Sequence, residues 1–72
     1  MEKLDLHGVR HSQADEVIRS FLNFIELPCQ IITGNSAMMK NIACSVVEEY
    51  EWSYYEKDSY NYGTLIVVEK RT

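Results

Sequence analysis

The sequence predicts an α/β (α+β) fold, a two-layer sandwich of order βαβαββ with two helices on one face of a four-stranded sheet. Three observations lead to this prediction. Short apolar, β-branched runs alternate with two longer segments that each carry one apolar stripe. Strand–helix–strand units place their strands parallel, and two helices suffice to cover one face of a small sheet. From its length we expect the 72-residue chain to form a single domain, 1–72, with no room for a second lobe.

The first strand is predicted at Leu4-Asp5-Leu6-His7-Gly8, where alternation separates two kinds of side chain. Leu4 and Leu6 are expected to face the helices, whereas Asp5 and His7 are expected on the uncovered face. Gly8 ends the strand at a position where the backbone can turn sharply or approach a ligand. An acid and an imidazole are thus predicted side by side on an open surface.

A first helix is predicted from Gln13 to Glu26. Ser12 is a typical N-cap, and Asp15 places negative charge near the positive end of the helix. Pro28 cannot extend the helix and restricts the residue before it. His11 is assigned to a surface turn. The apolar stripe of this helix consists of Val17, Ile18, Phe21, Leu22 and Ile25.

The middle of the chain predicts an interior strand followed by a second helix. The strand is Cys29–Thr33, which is short, apolar and β-branched. Gly34-Asn35-Ser36 is a tight turn in which Asn35 or Ser36 caps the helix. The apolar stripe of this second helix consists of Met39, Ile42, Ala43, Val46, Val47 and Tyr50.

Two further strands are predicted at the end of the chain. Glu51–Glu56 alternates between aromatic and polar residues and is interpreted as the third strand. A polar loop, Lys57–Tyr62, closed by Gly63, leads to Thr64–Val68. This last segment is the most apolar of the chain, so we expect it in the centre of the sheet.

Charge and composition narrow the choice of partner and compartment. The net charge of −4 argues against broad attraction to nucleic-acid backbones, so any such contact is expected to be local. No apolar run approaches the roughly 20 residues that span a bilayer, and no signal segment is recognisable, so we expect a cytoplasmic protein without membrane contact. Cys29 and Cys44 are expected to be reduced, buried thiols, because their spacing does not suit a zinc site.

A ligand site is predicted where the loops that follow the first two strands meet, at the carboxyl ends of parallel strands. The turn Gly34–Ser36 opens a helix, so its amides, together with Lys40 one turn later, favour an anion. Plainer interpretations stay open: the turn is ordinary geometry, and Asp5 and His7 only discourage pairing at an edge strand. Four tyrosines either stack on bases or complete the core: Tyr54, Tyr55, Tyr60 and Tyr62.

Four segments together resemble the Smr (small MutS-related) domain family. They are Leu4-Asp5-Leu6-His7-Gly8, then Gln13-Ala14 at the start of an amphipathic helix, then Ile31-Ile32-Thr33-Gly34, then Gly63-Thr64-Leu65-Ile66-Val67. The resemblance covers almost the whole chain, and Leu-Asp-Leu-His-Gly is its most specific motif. It implies a fold resembling the C-terminal domain of bacterial translation initiation factor three. In that fold the sheet is mixed, with the last strand antiparallel between the second and third.

The resemblance also implies nucleic-acid binding, since members of the family bind nucleic acid and several are endonucleases acting on branched DNA or on RNA. The first family motif maps onto Asp5, His7 and Gly8. The second, Thr-Gly-x-Gly, maps onto Thr33–Ser36, but here Ser36 replaces the last glycine and Asn35 replaces the usual basic residue.

Two functional interpretations follow, and neither specifies whether the nucleic acid is DNA or RNA. In the first, an endonuclease uses His7 for proton transfer. Asp5 orients His7 or holds an ion. No cofactor is required, and any Mg²⁺ or Mn²⁺ is shared with the substrate. The phosphate-binding residues would be Gly8, Arg10, Thr33, Gly34, Asn35, Ser36 and Lys40. In the second, a non-catalytic module binds RNA or a protein partner through the aromatic strand and loop, with protein contacts through Tyr54, Tyr60 and Tyr62.

Overall fold

The computed structural model describes residues 1–58 and 61–70 of the chain. It contains strand β1 (Glu2–Asp5), helix α1 (His11–Leu22), strand β2 (Cys29–Ile32), helix α2 (Ala37–Glu49) and strands β3 (Ser53–Asp58) and β4 (Asn61–Val68). Within the described residues, no helix has the length and apolar character needed to cross a membrane. The predicted α+β class and the order of the elements are confirmed.

The four strands form one mixed sheet in the order β1-β2-β4-β3. β1 and β2 are parallel, and β4 lies between β2 and β3, antiparallel to both. The central position predicted for the most apolar strand is therefore confirmed. Leu4 pairs with Ile31, which in turn pairs with Leu65, so these three side chains share one face of the sheet.

Both helices contribute to a single core against that face. Leu6 is 3% exposed and Leu4 packs at the rim of the core, while Asp5 and His7 are exposed, as the alternation predicted. On the opposite face, Ile66 of β4 is nearly buried without belonging to this core. The core residues are Leu6, Ala14, Ile18, Leu22, Cys29, Ile31, Met39, Ala43, Val46, Val47, Leu65 and Val67.

The bounds predicted for the first helix were wrong at both ends. Arg10 occupies the N-cap position without a side-chain cap, so His11 is the first helical residue rather than part of a surface turn, and Ser12 is already inside α1. The helix ends at Leu22, and the amide of the C-cap residue Asn23 makes the last helical hydrogen bond, to the Arg19 carbonyl 3.0 Å away. The chain then leaves the helical path to reach β2.

The strand bounds also differ from the prediction. β1 ends at Asp5 instead of reaching the predicted Gly8, although the Leu6 amide still donates to the Ile32 carbonyl at 2.9 Å. β4 starts at Asn61, so Gly63 lies inside a strand and the predicted loop Lys57–Tyr62 is largely replaced by pairing of β3 with β4. Residues 59 and 60 of that loop lie outside the described part of the chain.

The second helix is capped as predicted by Ser36, whose Oγ accepts a hydrogen bond from the Met39 amide at 3.1 Å. At its other end the Trp52 amide donates to Val47 and the Glu51 amide donates to Glu48, which is a Schellman motif. Because Glu51 and Trp52 complete this motif, β3 begins only at Ser53 and not at Glu51 as predicted.

An ion-pair cluster joins the two helices on their exposed side. The Arg19 guanidinium lies 2.5 Å from the Asp15 carboxylate and also binds Glu49 of α2. The hydrogen bond from Arg19 lowers the pKa of Asp15. Asp15 therefore contributes stability above the ordinary pKa of an aspartate, and this contribution is lost as the pH falls below it.

The two cysteines are free thiols, as predicted, but only one of them is buried. Cys29 is 0% exposed, and burial raises the pKa of its thiol to about 11, whereas Cys44 is partly exposed. We expect iodoacetamide at pH 8 to modify Cys44 and to spare Cys29, because the thiolate is the reactive form. Peptide mass spectrometry measures both sites. Equal labelling in the folded protein would contradict the burial of Cys29, and equal labelling in urea is the positive control.

Candidate active site

A small cleft lies at the carboxyl ends of β1 and β2, on the face of the sheet that the helices leave uncovered. It is lined by Asp5, His7, Ile32, Thr33 and Gly34 and has a volume of about 270 Å³. The parallel register that pairs Asp5 with Ile32 brings the two turns together. The cleft is smaller than the roughly 300–1,000 Å³ of pockets that enclose a small-molecule ligand. It therefore suits one group of a larger molecule.

The β1–α1 turn is held by the carboxylate of Asp5. Asp5 Oδ1 accepts a hydrogen bond from the backbone amide of His7 at 2.9 Å, and the Val9 amide donates to the Leu6 carbonyl at 3.0 Å. Gly8 has φ +80°, a left-handed conformation that favours glycine. Asp5 thus fixes the backbone at His7 rather than the imidazole, and the imidazole stays exposed beside the cleft.

The β2–α2 turn is held by β4. The amides of Thr33 and Gly34 both donate to the Gly63 carbonyl, at 2.7 and 3.2 Å. The Thr33 hydroxyl lies 3.4 Å from the same carbonyl and donates to it. A Cβ on Gly63 would come within 3.0 Å of the Gly34 Cα. These two amides are consequently directed into the protein. The anion site predicted for this turn is reduced to the first amides of α2, those of Ala37 and Met38, because the next amide already donates to the Ser36 cap.

Ser36 brings a residue into the site that the sequence interpretation did not include. Its Oγ, besides capping α2, lies 3.4 Å from Nε2 of His11, the first residue of α1. The two helix N-termini therefore adjoin one another. Nothing local in the sequence indicates this contact, because it joins positions 25 residues apart.

The predicted cations occupy different surroundings. Lys40 Nζ binds Glu56 Oε1 of β3 at 3.2 Å on the helix side of the sheet. Arg10 is exposed at the N-cap of α1, directly after the β1–α1 turn. Asn35 is exposed in the other turn. The structure thus brings Asp5 and His7 next to the β2–α2 turn. Lys40, in contrast, is bound to the Glu56 carboxylate.

The tyrosines divide between the two faces of β3. Tyr54 packs against the core, and its hydroxyl donates to Glu48 of α2 at 3.0 Å. Hydrogen bonds with Cys44 and Glu48 raise the pKa of Tyr54. Tyr55 is 54% exposed on the uncovered face. Tyr60 and the side chain of Tyr62, also predicted as contacts, lie outside the described part of the chain.

Metal-binding capacity is small in residues 1–58 and 61–70. No three histidine, cysteine, aspartate or glutamate side chains among them come together as ligands. Asp5 is the carboxylate that lines the cleft. Because Mg²⁺ is commonly bound by one or two carboxylates together with substrate phosphates, an ion here would be held jointly with a substrate.

Comparisons with models of known protein families, with curated proteins and with solved structures found no match.

Proposed function

We propose that this chain is a nucleic-acid-binding domain of the Smr type that cleaves phosphodiester bonds at the Asp5–His7 cleft. One observation carries the proposal. The exposed His7 imidazole lies at a cleft formed by two strand-to-helix turns, and the Asp5 carboxylate locks the backbone from which that imidazole projects. An exposed imidazole on a fixed backbone is suited to proton transfer near neutral pH.

In the proposed reaction His7 takes the proton of the attacking hydroxyl or water as its oxygen bonds to phosphorus. The bond from phosphorus to the leaving oxygen breaks, and that oxygen takes a proton from solvent. Asp5 keeps the His7 backbone in place through the 2.9 Å hydrogen bond. Arg10 and the first two amides of α2, those of Ala37 and Met38, bind the neighbouring phosphates.

The direct test is incubation of the purified domain with labelled single-stranded RNA, duplex DNA and branched DNA, each with and without Mg²⁺ or Mn²⁺. We expect one substrate class to be cut. If Arg10 and Lys40 each neutralise one phosphate of a single strand, log K should fall with log salt at a slope of about −1.4. Absence of both cutting and salt-dependent binding would contradict the proposal.

A second candidate, a non-catalytic binding module on the same fold, is favoured by a specific observation. The amides of Thr33 and Gly34 are bonded to Gly63, and Lys40 is bonded to Glu56, so fewer donors are available to hold a scissile phosphate than the motif suggested. Binding without cutting, by protein whose fold is intact, would support this candidate.

The ion pair between Lys40 and Glu56 competes with any phosphate that Lys40 could bind. Glu56→Gln removes the carboxylate 3.2 Å from Lys40 Nζ. We expect about a twofold to fivefold tighter affinity for the nucleic acid, because Lys40 then has one carboxylate fewer competing with a phosphate. Fluorescence anisotropy at low salt measures the change.

Glu16→Gln is the matched control, since it alters the net charge equally at an exposed position of α1. Equal gains in both variants would show a general charge effect and would remove Lys40 from the interface.

A further inference from the structure

A second surface feature lies at the end of the sheet opposite the cleft, where the α1–β2 and α2–β3 connections meet the residue after β4. Two adjoining depressions of about 380 and 510 Å³ share Trp52 and Glu69. We refer to them together as the Trp52 groove. Its apolar part is formed by Ile25, Leu27 and Trp52. Its acidic part is formed by Glu26, Glu51 and Glu69.

The aromatic part of the Trp52 groove is held in place. The ring centroids of Trp52 and Tyr50 are 4.9 Å apart. The Tyr50 hydroxyl donates to Asn23 Oδ1 at 2.6 Å and so ties this pair of rings to the end of α1. The indole is partly exposed, so one part of a rigid aromatic surface is open to a ligand.

Carboxylates outnumber cations in the acidic part of the groove. Glu26, Glu51 and Glu69 are exposed, and among the described residues none of them forms an ion pair. Lys70 lines one of the two depressions, but three carboxylates against one ammonium group leave an excess of negative charge around the indole.

The backbone of Glu51 is strained. Its φ is +61°, so a non-glycine residue occupies the left-handed position of the Schellman motif where glycine is the usual choice. This conformation costs free energy that a glycine would not lose. The strained backbone places a carboxylate beside Trp52, at a position where the fold alone would favour no side chain.

We propose that the Trp52 groove binds an arginine side chain of a protein partner. A guanidinium stacks on an indole, pairs with carboxylates through two parallel hydrogen bonds, and carries an apolar stem. The groove offers an aromatic surface, several carboxylates and the apolar side chains of Ile25 and Leu27. Phe24, which precedes Ile25 in the chain, is 89% exposed, so a second large apolar side chain is accessible to a polypeptide. An acidic surface repels phosphates, so this proposal is independent of the nucleic-acid function.

The test is an NMR titration of the ¹⁵N-labelled domain with N-acetyl-arginine N-methylamide. We expect saturable shifts of the Trp52 indole N–H with a Kd on the order of 1–10 mM. N-acetyl-norleucine N-methylamide has an apolar stem without charge and should leave that signal unchanged. Equal shifts with both probes, or none with either, would overturn the proposal. Shifts that depend on protein concentration without a probe would assign the groove to a second copy of the chain and would also overturn it.

Two variants separate binding from folding. Glu51→Gly should weaken binding of the arginine probe about threefold. The same variant should raise Tm by about 4 °C, since it relieves the left-handed strain. Glu69→Gln should weaken binding similarly with Tm unchanged, and Glu16→Gln on α1 should alter neither. An unchanged Kd in both Glu51→Gly and Glu69→Gln would show that these carboxylates do not bind the guanidinium.

Discussion

Replacing His7 by alanine is expected to lower the rate of phosphodiester cleavage by about 100-fold to 10,000-fold, the usual contribution of a positioned general acid or base. The side chain is exposed and its backbone amide, which bonds Asp5 Oδ1, is retained in the variant. The fold should therefore be unaffected. Single-turnover cleavage of the substrate found in the panel measures the rate, and thermal unfolding checks the fold.

Two substitutions at Asp5 refine this prediction. The amide oxygen in Asp5→Asn still accepts the hydrogen bond from the His7 amide, whereas Asp5→Ala removes the acceptor. If Asp5 acts by holding the turn, Asp5→Asn should retain most activity and Asp5→Ala should lose it. Cleavage that survives in His7→Ala would contradict the proposed mechanism. Equal loss in both Asp5 variants would indicate that the charge itself is required, as for an ion shared with the substrate.

The second large effect is expected at Gly63, where the added methyl of alanine would meet the backbone of Gly34 at 3.0 Å. The neighbour in this contact is main chain, which cannot rotate away as a side chain can. We expect Gly63→Ala to lower the free energy of unfolding by about 1–3 kcal/mol, as for other overpacked positions. In a domain of this size that corresponds to a fall in Tm of roughly 4–8 °C per kcal/mol.

Gly63→Ala should also displace the turn that it supports. The amides of Thr33 and Gly34 donate to the Gly63 carbonyl, so their NMR signals should shift and any binding at the cleft should weaken. Gly8→Ala is the matched comparison, because a Cβ at Gly8 has no atom within 4 Å and the cost there comes only from its φ of +80°. A Gly63→Ala protein as stable as the parent, with unmoved Thr33 and Gly34 signals, would contradict this account of the turn.

Much of the fold is predictable because burial follows periodicity. Leu6 and Ile31 point to the core while Asp5 stays exposed, in agreement with strand alternation. The second helix and its Ser36 cap also follow from local pattern. The helix and strand ends were less predictable. The end of α1 at Leu22 and the start of β3 at Ser53 depend on how the chain turns back toward the sheet. The apolar pattern does not mark either point, because it continues beyond the end of α1 and begins before the start of β3.

The candidate site was predictable only in part. The convergence of Asp5 and His7 with the Thr33–Gly34 turn follows from parallel strands whose carboxyl ends share an edge. The partners that limit the site come from distant segments. The Gly63 carbonyl, about 30 residues further along the chain, accepts hydrogen bonds from the two turn amides. Glu56 holds Lys40 from 16 residues away.

The sequence by itself determined the order of the elements, the face that each strand buries and the position of the Asp5–His7 pair, because these depend on spacings of two to four residues. The tertiary structure decided which amides and cations of the site are bonded to other parts of the protein. It also brought His11 next to Ser36 and Trp52 next to Glu69. Such contacts join segments far apart in the chain. They depend on the packing of strands and helices against one another, which no local pattern specifies.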